Sequence, residues 1–213
     1  MVDIGMTNPT LPLIRASLEI RTEDPRGAKP AIGSAAVALI LAGPQMNLSL
    51  SFIRRADRAG DPWSGHMAFP GGRADQSDHS HPAVAERETM EEVGIRLDPI
   101  AFIGPLPQLP VRRGRTDTGI MLSSFVYYIG ETLVQFSPNY EVAAAYWIPL
   151  THLWEPCNFT TLTIASGAAP ADYPAISYQG NLIWGLSYRV LQQFGEAIRL
   201  PLPGPGYRTD RLA

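Results

Sequence analysis

At 213 residues with 45% hydrophobic content, the chain fits one ordinary domain with enough apolar matter for a real core, so neither disulfides nor a structural metal is needed for folding. Its net charge of −3 supplies no global pull towards nucleic acid or an anionic membrane, and a polyanionic ligand would need local help from a metal, arginines or backbone amides. Cys157 is the only cysteine, which excludes an intramolecular disulfide and suits a reducing compartment. The N-terminus has no basic stretch followed by an apolar one, and the longest apolar run, Ala35 to Ala42, is too short to cross a bilayer. A cytoplasmic globular protein is expected, with no nucleic-acid or membrane partner and with a homodimer left open.

Residues 1–33 read as an irregular arm packed on the domain, because Pro9, Pro12, Pro25 and Pro30 interrupt any long element; residues 34–213 form the domain itself. Ser34 to Ala42 is small and aliphatic, a buried strand by length and composition. Leu48 to Arg54 alternates apolar and polar, as an antiparallel partner would. A Gly/Asp/Pro-rich loop, Arg55 to Gly65, leads to a short extended piece, His66 to Phe69, which ends at Pro70-Gly71-Gly72. Pro82 to Val93 is the clearest helix: proline suits a first turn, Ser80 or His81 can cap it, and Gly94 stands where a left-handed residue ends a helix. Its buried face should carry Ala85, Thr89 and Val93, with Val84 beside them. Ile100 to Ile103, Met121 to Ile129 and Ala144 to Ile148 read as further strands. Leu182 to Ile198 reads as a second amphipathic helix with Leu186, Val190 and Leu191 inward. Strands interleaved with two helices predict an α/β sandwich, one helix on each face of a mixed sheet.

The chemistry concentrates on the first helix. In Arg87-Glu88-Thr89-Met90-Glu91-Glu92-Val93-Gly94, Glu88 lies three residues before Glu91 and four before Glu92, so the three carboxylates project from adjoining positions. Like charges at that spacing destabilise a bare helix by about 0.2–0.5 kcal/mol per pair. A hard divalent cation such as Mg²⁺ offsets that repulsion, and Arg87, four before Glu91, can orient its carboxylate. The competing reading is a solvated acidic face with an incidental ion pair. Gly71-Gly72 tips the balance, because glycines permit the close backbone approach that a phosphate–metal complex needs.

The run from Gly72 to Ile95 resembles the Nudix box, a glycine-led loop and helix closing in Arg-Glu-x-x-Glu-Glu-x-Gly. That resemblance implies a Nudix-like α/β/α sandwich with a mixed β-sheet, and hydrolysis of a diphosphate in a nucleoside diphosphate joined to another group. It implies Mg²⁺ or Mn²⁺ on Glu88, Glu91 and Glu92, and a catalytic contribution from Glu88, Arg87 and Glu92, with Arg87 holding the glutamates in place. Two departures stand out: Asp78 occupies the place of a loop glutamate, with eight residues between it and Arg87 where the general pattern has seven, and Thr89 replaces an aliphatic residue. Both look like the coenzyme A pyrophosphatase branch. So do Gly65 to Gly72, Glu141-Val142 with Tyr146 to Leu150, and Ile183 to Ser187. Against that branch, Arg55 to Ser64 is longer than its upstream pattern and lacks the Leu and His found there. Coenzyme A or an acyl derivative is therefore the leading substrate, with ADP-ribose or a nucleotide sugar as the alternative, and a nucleotide-sensing module without turnover as a third reading.

Around this helix, Glu141 and Asp78 are candidates for an additional ligand or base. Gly71, Gly72, Arg54, Arg55 and Arg113, the last in the basic run Arg112-Arg113-Gly114-Arg115, are candidates for phosphate contacts, since a guanidinium fork matches phosphate oxygens. A solvated loop explains the basic run equally well. Trp63 could stack on a base or fill a local gap, whereas Trp147 and Trp184 read as core. His66, His79 and His81 suit loop and capping roles, magnesium preferring oxygen.

Overall fold

The computed structural model describes residues 8–18, 29–31, 33–61, 63–113, 116–164 and 170–204, with the side chains of 112, 113, 116 and 117 outside that description. The central strand β1 (Ala35–Ala42) runs parallel to β7 (Thr116–Tyr128), with Ala35 opposite Leu122 and Leu41 opposite Tyr128. Its other edge is shared. The C-terminal end pairs with β2 (Ser49–Arg55) through Leu41–Leu50, and the N-terminal half pairs with β4 (Gly71–Arg73) through Ala36–Gly72 and Val37–Gly71. β3 (Met67–Ala68) and β8 (Val142–Pro149) both pair antiparallel with β2, while β5 (Phe102–Pro105) and β6 (Leu109–Arg113) pair with β7. The result is an eight-stranded mixed sheet, beside a three-stranded sheet of β9 (Phe159–Ile164), β10 (Ala171–Tyr178) and β11 (Asn181–Trp184).

The alternation of β1 divides the core in two. Ala36, Ala38 and Ile40 face α2 (His81–Val93), together with Val84, Ala85, Val93, Phe125 and Tyr127. The alanines are small, so the helix that bears the glutamates lies close to the sheet. Leu39 and Leu41 face the opposite side, where Val190, Leu191 and Phe194 of α4 (Gly185–Ala197) pack with Ile14 and Leu18 of α1 (Leu11–Leu18). A four-residue helix, α3 (Leu150–Leu153), continues β8 and buries Leu150 and Leu153.

Several expectations need correction. Residues 11–18 are not irregular: they form α1, which buries Leu11, Ile14 and Leu18 at helical spacing, and Pro12 falls in the first turn, where its missing N–H interrupts no helical bond. The second helix starts at Gly185 and not at Leu182. Gln179 and Gly180, with φ of 46° and 78°, form a tight turn that folds Asn181–Trp184 back onto β10 as a strand. Pro99–Ala101 is a 3₁₀ turn capped by Asp98, which moves the following strand to Phe102–Pro105. Strands β4, β6, β9 and β10 have no counterpart among the expected elements; β6 and β10 carry internal prolines, which argue against a strand in a sequence reading. Residues 1–7, 19–28 and 32 of the N-terminal arm lie outside the described residues.

Leu39 is wholly buried between the β1 neighbours and the α1–α4 side. Leu39→Ala is expected to lower unfolding free energy by about 2–5 kcal/mol in denaturant titrations; a loss well under 1 kcal/mol would show that this half of the core can collapse around a cavity.

Candidate active site

The glutamate helix is firmly terminated at both ends. Ser80 caps it by accepting from the Ala83 N–H at 3.2 Å, and Gly94, at φ 71°, closes it with its own N–H on the Met90 carbonyl. The loop that follows β7 docks on its last turn, where Ser137 N–H donates to Val93 O at 2.9 Å and Asn139 N–H to Glu92 O at 3.0 Å. Carbonyls that a helix end leaves without partners thus station the segment carrying Glu141.

Arg87 is the hub of the polar network. Its Nε and Nη2 donate to the two Asp78 oxygens at 3.1 and 3.0 Å, and Nη2 also reaches Arg73 O at 3.1 Å. Nη1 reaches Glu88 Oε1 at 3.0 Å and Glu91 Oε2 at 3.2 Å, so one nitrogen gathers two carboxylates. Burial opposes the charge of Asp78, yet Arg87 and the Asp75 N–H (2.7 Å) outweigh it and hold the Asp78 carboxyl below its ordinary range. Asp78 raises the Arg87 pKa in return, despite partial desolvation.

Glu92 and Glu88 sit against the glycine strand. Glu92 is 2% exposed, and its Oε2 accepts from the Gly71 N–H at 2.9 Å. Burial pushes its carboxyl up to about 8; the Gly71 bond and Arg55 offset this only partly, while Glu88 and Glu141 add to it. Glu88, half-buried, is raised chiefly by burial, with Arg87 opposing and Glu91 and Glu141 reinforcing. Gly71 is required by the backbone packing, and Gly72 by the place of the Glu88 carboxylate. A Cβ on Gly71, whose φ is 149°, would strike Ala36 O and Val37 Cα, and a Cβ on Gly72 would fall on the Glu88 carboxylate.

A second layer of arginines surrounds this group. Arg55 donates through Nη2 to Asp61 at 2.9 Å and lies near enough to Glu92 to favour its ionisation, while its buried Nε has no hydrogen-bond partner among the described residues. Arg58 places Nη1 and Nη2 on Glu141 Oε1, each at 3.2 Å. Among the described residues Arg54 pairs with Asp57, at 3.8 Å, outside the glutamate cluster. The backbone of Arg113 closes the β6–β7 hairpin opposite Thr116, but its side chain, with Gly114 and Arg115, lies outside the described residues. Among the described residues no three His, Cys, Asp or Glu side chains form a ready-made metal cage; Glu91, 55% exposed, is turned to Arg87.

The model of the NUDIX domain matches residues 33–164. The chain belongs to the Nudix family. Relatives include an uncharacterized protein of Schizosaccharomyces pombe, 39% identical over 129 residues that cover 57% of this chain and 38% of that one. The Nudix hydrolase NudL of Yersinia enterocolitica, itself uncharacterized, is 27% identical over 161 residues, 76% of this chain and 78% of its own. In fold the chain is similar to a MutT/nudix family protein from Enterococcus faecalis, with a TM-score of 0.53, 18% identity and coverage of 84% and 66% of the two chains. The α/β architecture with a mixed sheet is thus a Nudix fold, and the domain is of the Nudix pyrophosphohydrolase type. Among the described residues no helix is long and apolar enough to cross a membrane.

Within this Nudix site the structure brings together Glu88, Glu91, Glu92, Arg87, Asp78, Gly71 and Gly72, with Arg55 and Glu141 at the edge. Sequence reasoning missed Asp61 and Arg58. The Asp-Pro-Trp-Ser run hid Asp61, which accepts from Trp63 N–H as well as Arg55; Arg58 finds Glu141 across 83 residues, a distance that no local pattern encodes.

Because folding raises the Glu92 pKa from 4.5 to about 8, its contribution to stability is complete below the unfolded value and drains away as pH rises through the folded one. Denaturation in EDTA should therefore show Glu92→Gln gaining on the wild type by a few kcal/mol across that window and levelling off above it. A stability gap that does not change with pH would mean that Glu92 is not held neutral.

Proposed function

We propose that the domain hydrolyses the diphosphate linkage of a nucleoside diphosphate joined to a further group, with coenzyme A or an acyl derivative as substrate and Mg²⁺ or Mn²⁺ held by Glu88, Glu91 and Glu92. The observation that carries this reading is the Glu88–Glu92 pair pressed against Gly71-Gly72, where burial and mutual repulsion both disfavour charge. An acid cluster of that kind fits a hard divalent cation, and its all-oxygen donor set matches what magnesium and manganese take. Glu88 and Glu92 would hold the ion from the helix, with the exposed Glu91 completing the set. Bound there, the cation supplies charge neutralisation at the bridging phosphates.

The chain's own groups divide the remaining work. Glu88 takes the proton of the attacking water on its carboxylate. The new P–O bond forms as the bridging P–O bond breaks, and two phosphate-ended products leave. Arg87 and Asp78 keep the glutamates in register and are positioning residues, since the Arg87 donors are already committed inside the protein. The backbone of Gly71 and Gly72 leaves room for the phosphates, and Arg55, beside Glu92 and with its side chain partly exposed, offers its charge to a phosphate oxygen. The coenzyme A assignment is supported by the segments that resemble that branch. Gly65 to Gly72 carries β3 and the turn into β4, Val142 to Leu150 forms β8 and its continuation, and Ile183 to Ser187 spans the β11–α4 junction.

A panel of diphosphate compounds with Mg²⁺, including coenzyme A and ADP-ribose and with products identified by mass, tests this directly. Coenzyme A should give 4′-phosphopantetheine and a 3′,5′-adenosine bisphosphate, and Glu92→Gln should keep the fold while losing roughly 10²–10³ in kcat. Near-normal turnover in that variant, with metal still required, would place the ligands elsewhere; cleavage of ADP-ribose alone would overturn the coenzyme A assignment.

A further inference from the structure

Arg58 stands in the loop between β2 and β3, and its surroundings differ from those of Arg87. The Arg87 nitrogens are spent on Asp78, Glu88, Glu91 and the Arg73 carbonyl. Arg58 instead directs both terminal nitrogens at a single oxygen, Glu141 Oε1, at 3.2 Å each, longer than the ~2.7–2.9 Å of a strong charge-assisted bond. Its guanidinium carbon lies 5.0 Å from the ring centroid of Tyr140, and that ring is 81% exposed. The head group therefore rests between one carboxylate and one aromatic face, an arrangement worth little in net energy because Tyr140 is exposed and the Arg58–Glu141 pair is partly so.

The backbone beneath this pair is fixed. Arg58 N–H donates to Ser64 Oγ at 2.8 Å, Ala56 N–H donates to Glu141 O at 2.8 Å, and Glu141 N–H donates to Asn139 Oδ1 at 2.8 Å. Asn139 is itself tied to the last turn of α2 through Glu92 O. Glu141 thus lies close enough to Glu88 and Glu92 for its charge to be felt by both, and Arg58, bound to Glu141, adjoins the same group of acids. A carboxylate and a guanidinium that hold each other weakly, beside a seat for a cation and a phosphate, form an ion pair that can exchange partners.

We propose that Arg58 is a phosphate-binding residue of the substrate site, kept at rest by Glu141 and Tyr140, and that it leaves Glu141 for a diphosphate oxygen when a nucleoside diphosphate enters. This rests on the function proposed above only in its choice of ligand class. The guanidinium fork suits a phosphate oxyanion, and Glu141, once released, is available to the cation side of the site. No bond is made or broken in the exchange other than hydrogen bonds and ion pairs.

The test is ADP binding by calorimetry in EDTA, which decides the role of Arg58 whether or not the glutamates hold a metal and without any turnover. Arg58→Ala should weaken ADP about tenfold or more, the loss expected for a charge-assisted hydrogen bond, and Arg58→Lys should recover part of it. Glu141→Gln should tighten ADP several-fold, both by freeing the guanidinium and by removing a repelling charge. The double variant separates these effects: most of the gain from Glu141→Gln should vanish in the Arg58→Ala background. Unchanged ADP affinity in Arg58→Ala, or a full gain from Glu141→Gln without Arg58, would overturn the proposal. Arg58→Gln provides the same comparison should the alanine variant fold poorly.

Discussion

The contact on which the site depends is that between the Glu92 carboxylate and the backbone of Gly71, made in a space that water scarcely reaches. A carboxylate buried with one N–H partner and a second carboxylate, Glu88, in range is held towards its neutral form. That arrangement is costly unless something positive arrives, and natural cores avoid such costs where no function requires them. Much of the fold can be read as what makes the contact geometrically available. β1 shares one edge between β2 and β4, which lets the glycine strand enter the sheet beneath α2. Ala36 and Ala38 let the helix settle close, and two glycines leave room for carboxylates where side chains would otherwise stand.

Around that contact the charges are arranged in two tiers with different strengths. The inner tier is the Arg87 fork, shielded on one side by buried Asp78 and tied to Arg73 O. It sets where Glu88 and Glu91 stand and has little capacity left for a ligand. The outer tier, Arg55 with Asp61 and Arg58 with Glu141, comes from the end of β2, the β2–β3 loop and the chain before β8, and its pairs are partly solvated. Rigid inner positioning with a looser rim suits a site that must hold its acids steady while a polyanion enters and leaves.

What could be read in the sequence was what local spacing encodes. The helix over Pro82–Val93, its Ser80 cap, its left-handed Gly94 and its buried Val84, Ala85, Thr89 and Val93 follow from periodicity and from end signals, and the structure bears them out. The antiparallel pairing of β1 with β2 follows from composition and alternation in the same way. Elements set by tertiary pairing escaped. β11 looked like the start of a helix because Leu182, Ile183 and Leu186 suit either period, and only the turn at Gln179-Gly180 decides it. The Arg58–Glu141 and Arg55–Asp61 pairs depend on the path of a loop whose glycines and aspartates signal a turn but not its destination.

The central claim is that Glu92 is kept protonated at neutral pH by its burial beside Glu88, and that a divalent cation displaces that proton. Calorimetric titration of Mn²⁺ in buffers of differing ionisation enthalpy measures the protons released per ion bound. Near neutral pH about one proton should leave with each cation, the release should fade above the Glu92 pKa of about 8, and it should be absent in Glu92→Gln. Tight binding with no proton release at neutral pH, or release that survives in Glu92→Gln, would contradict the account.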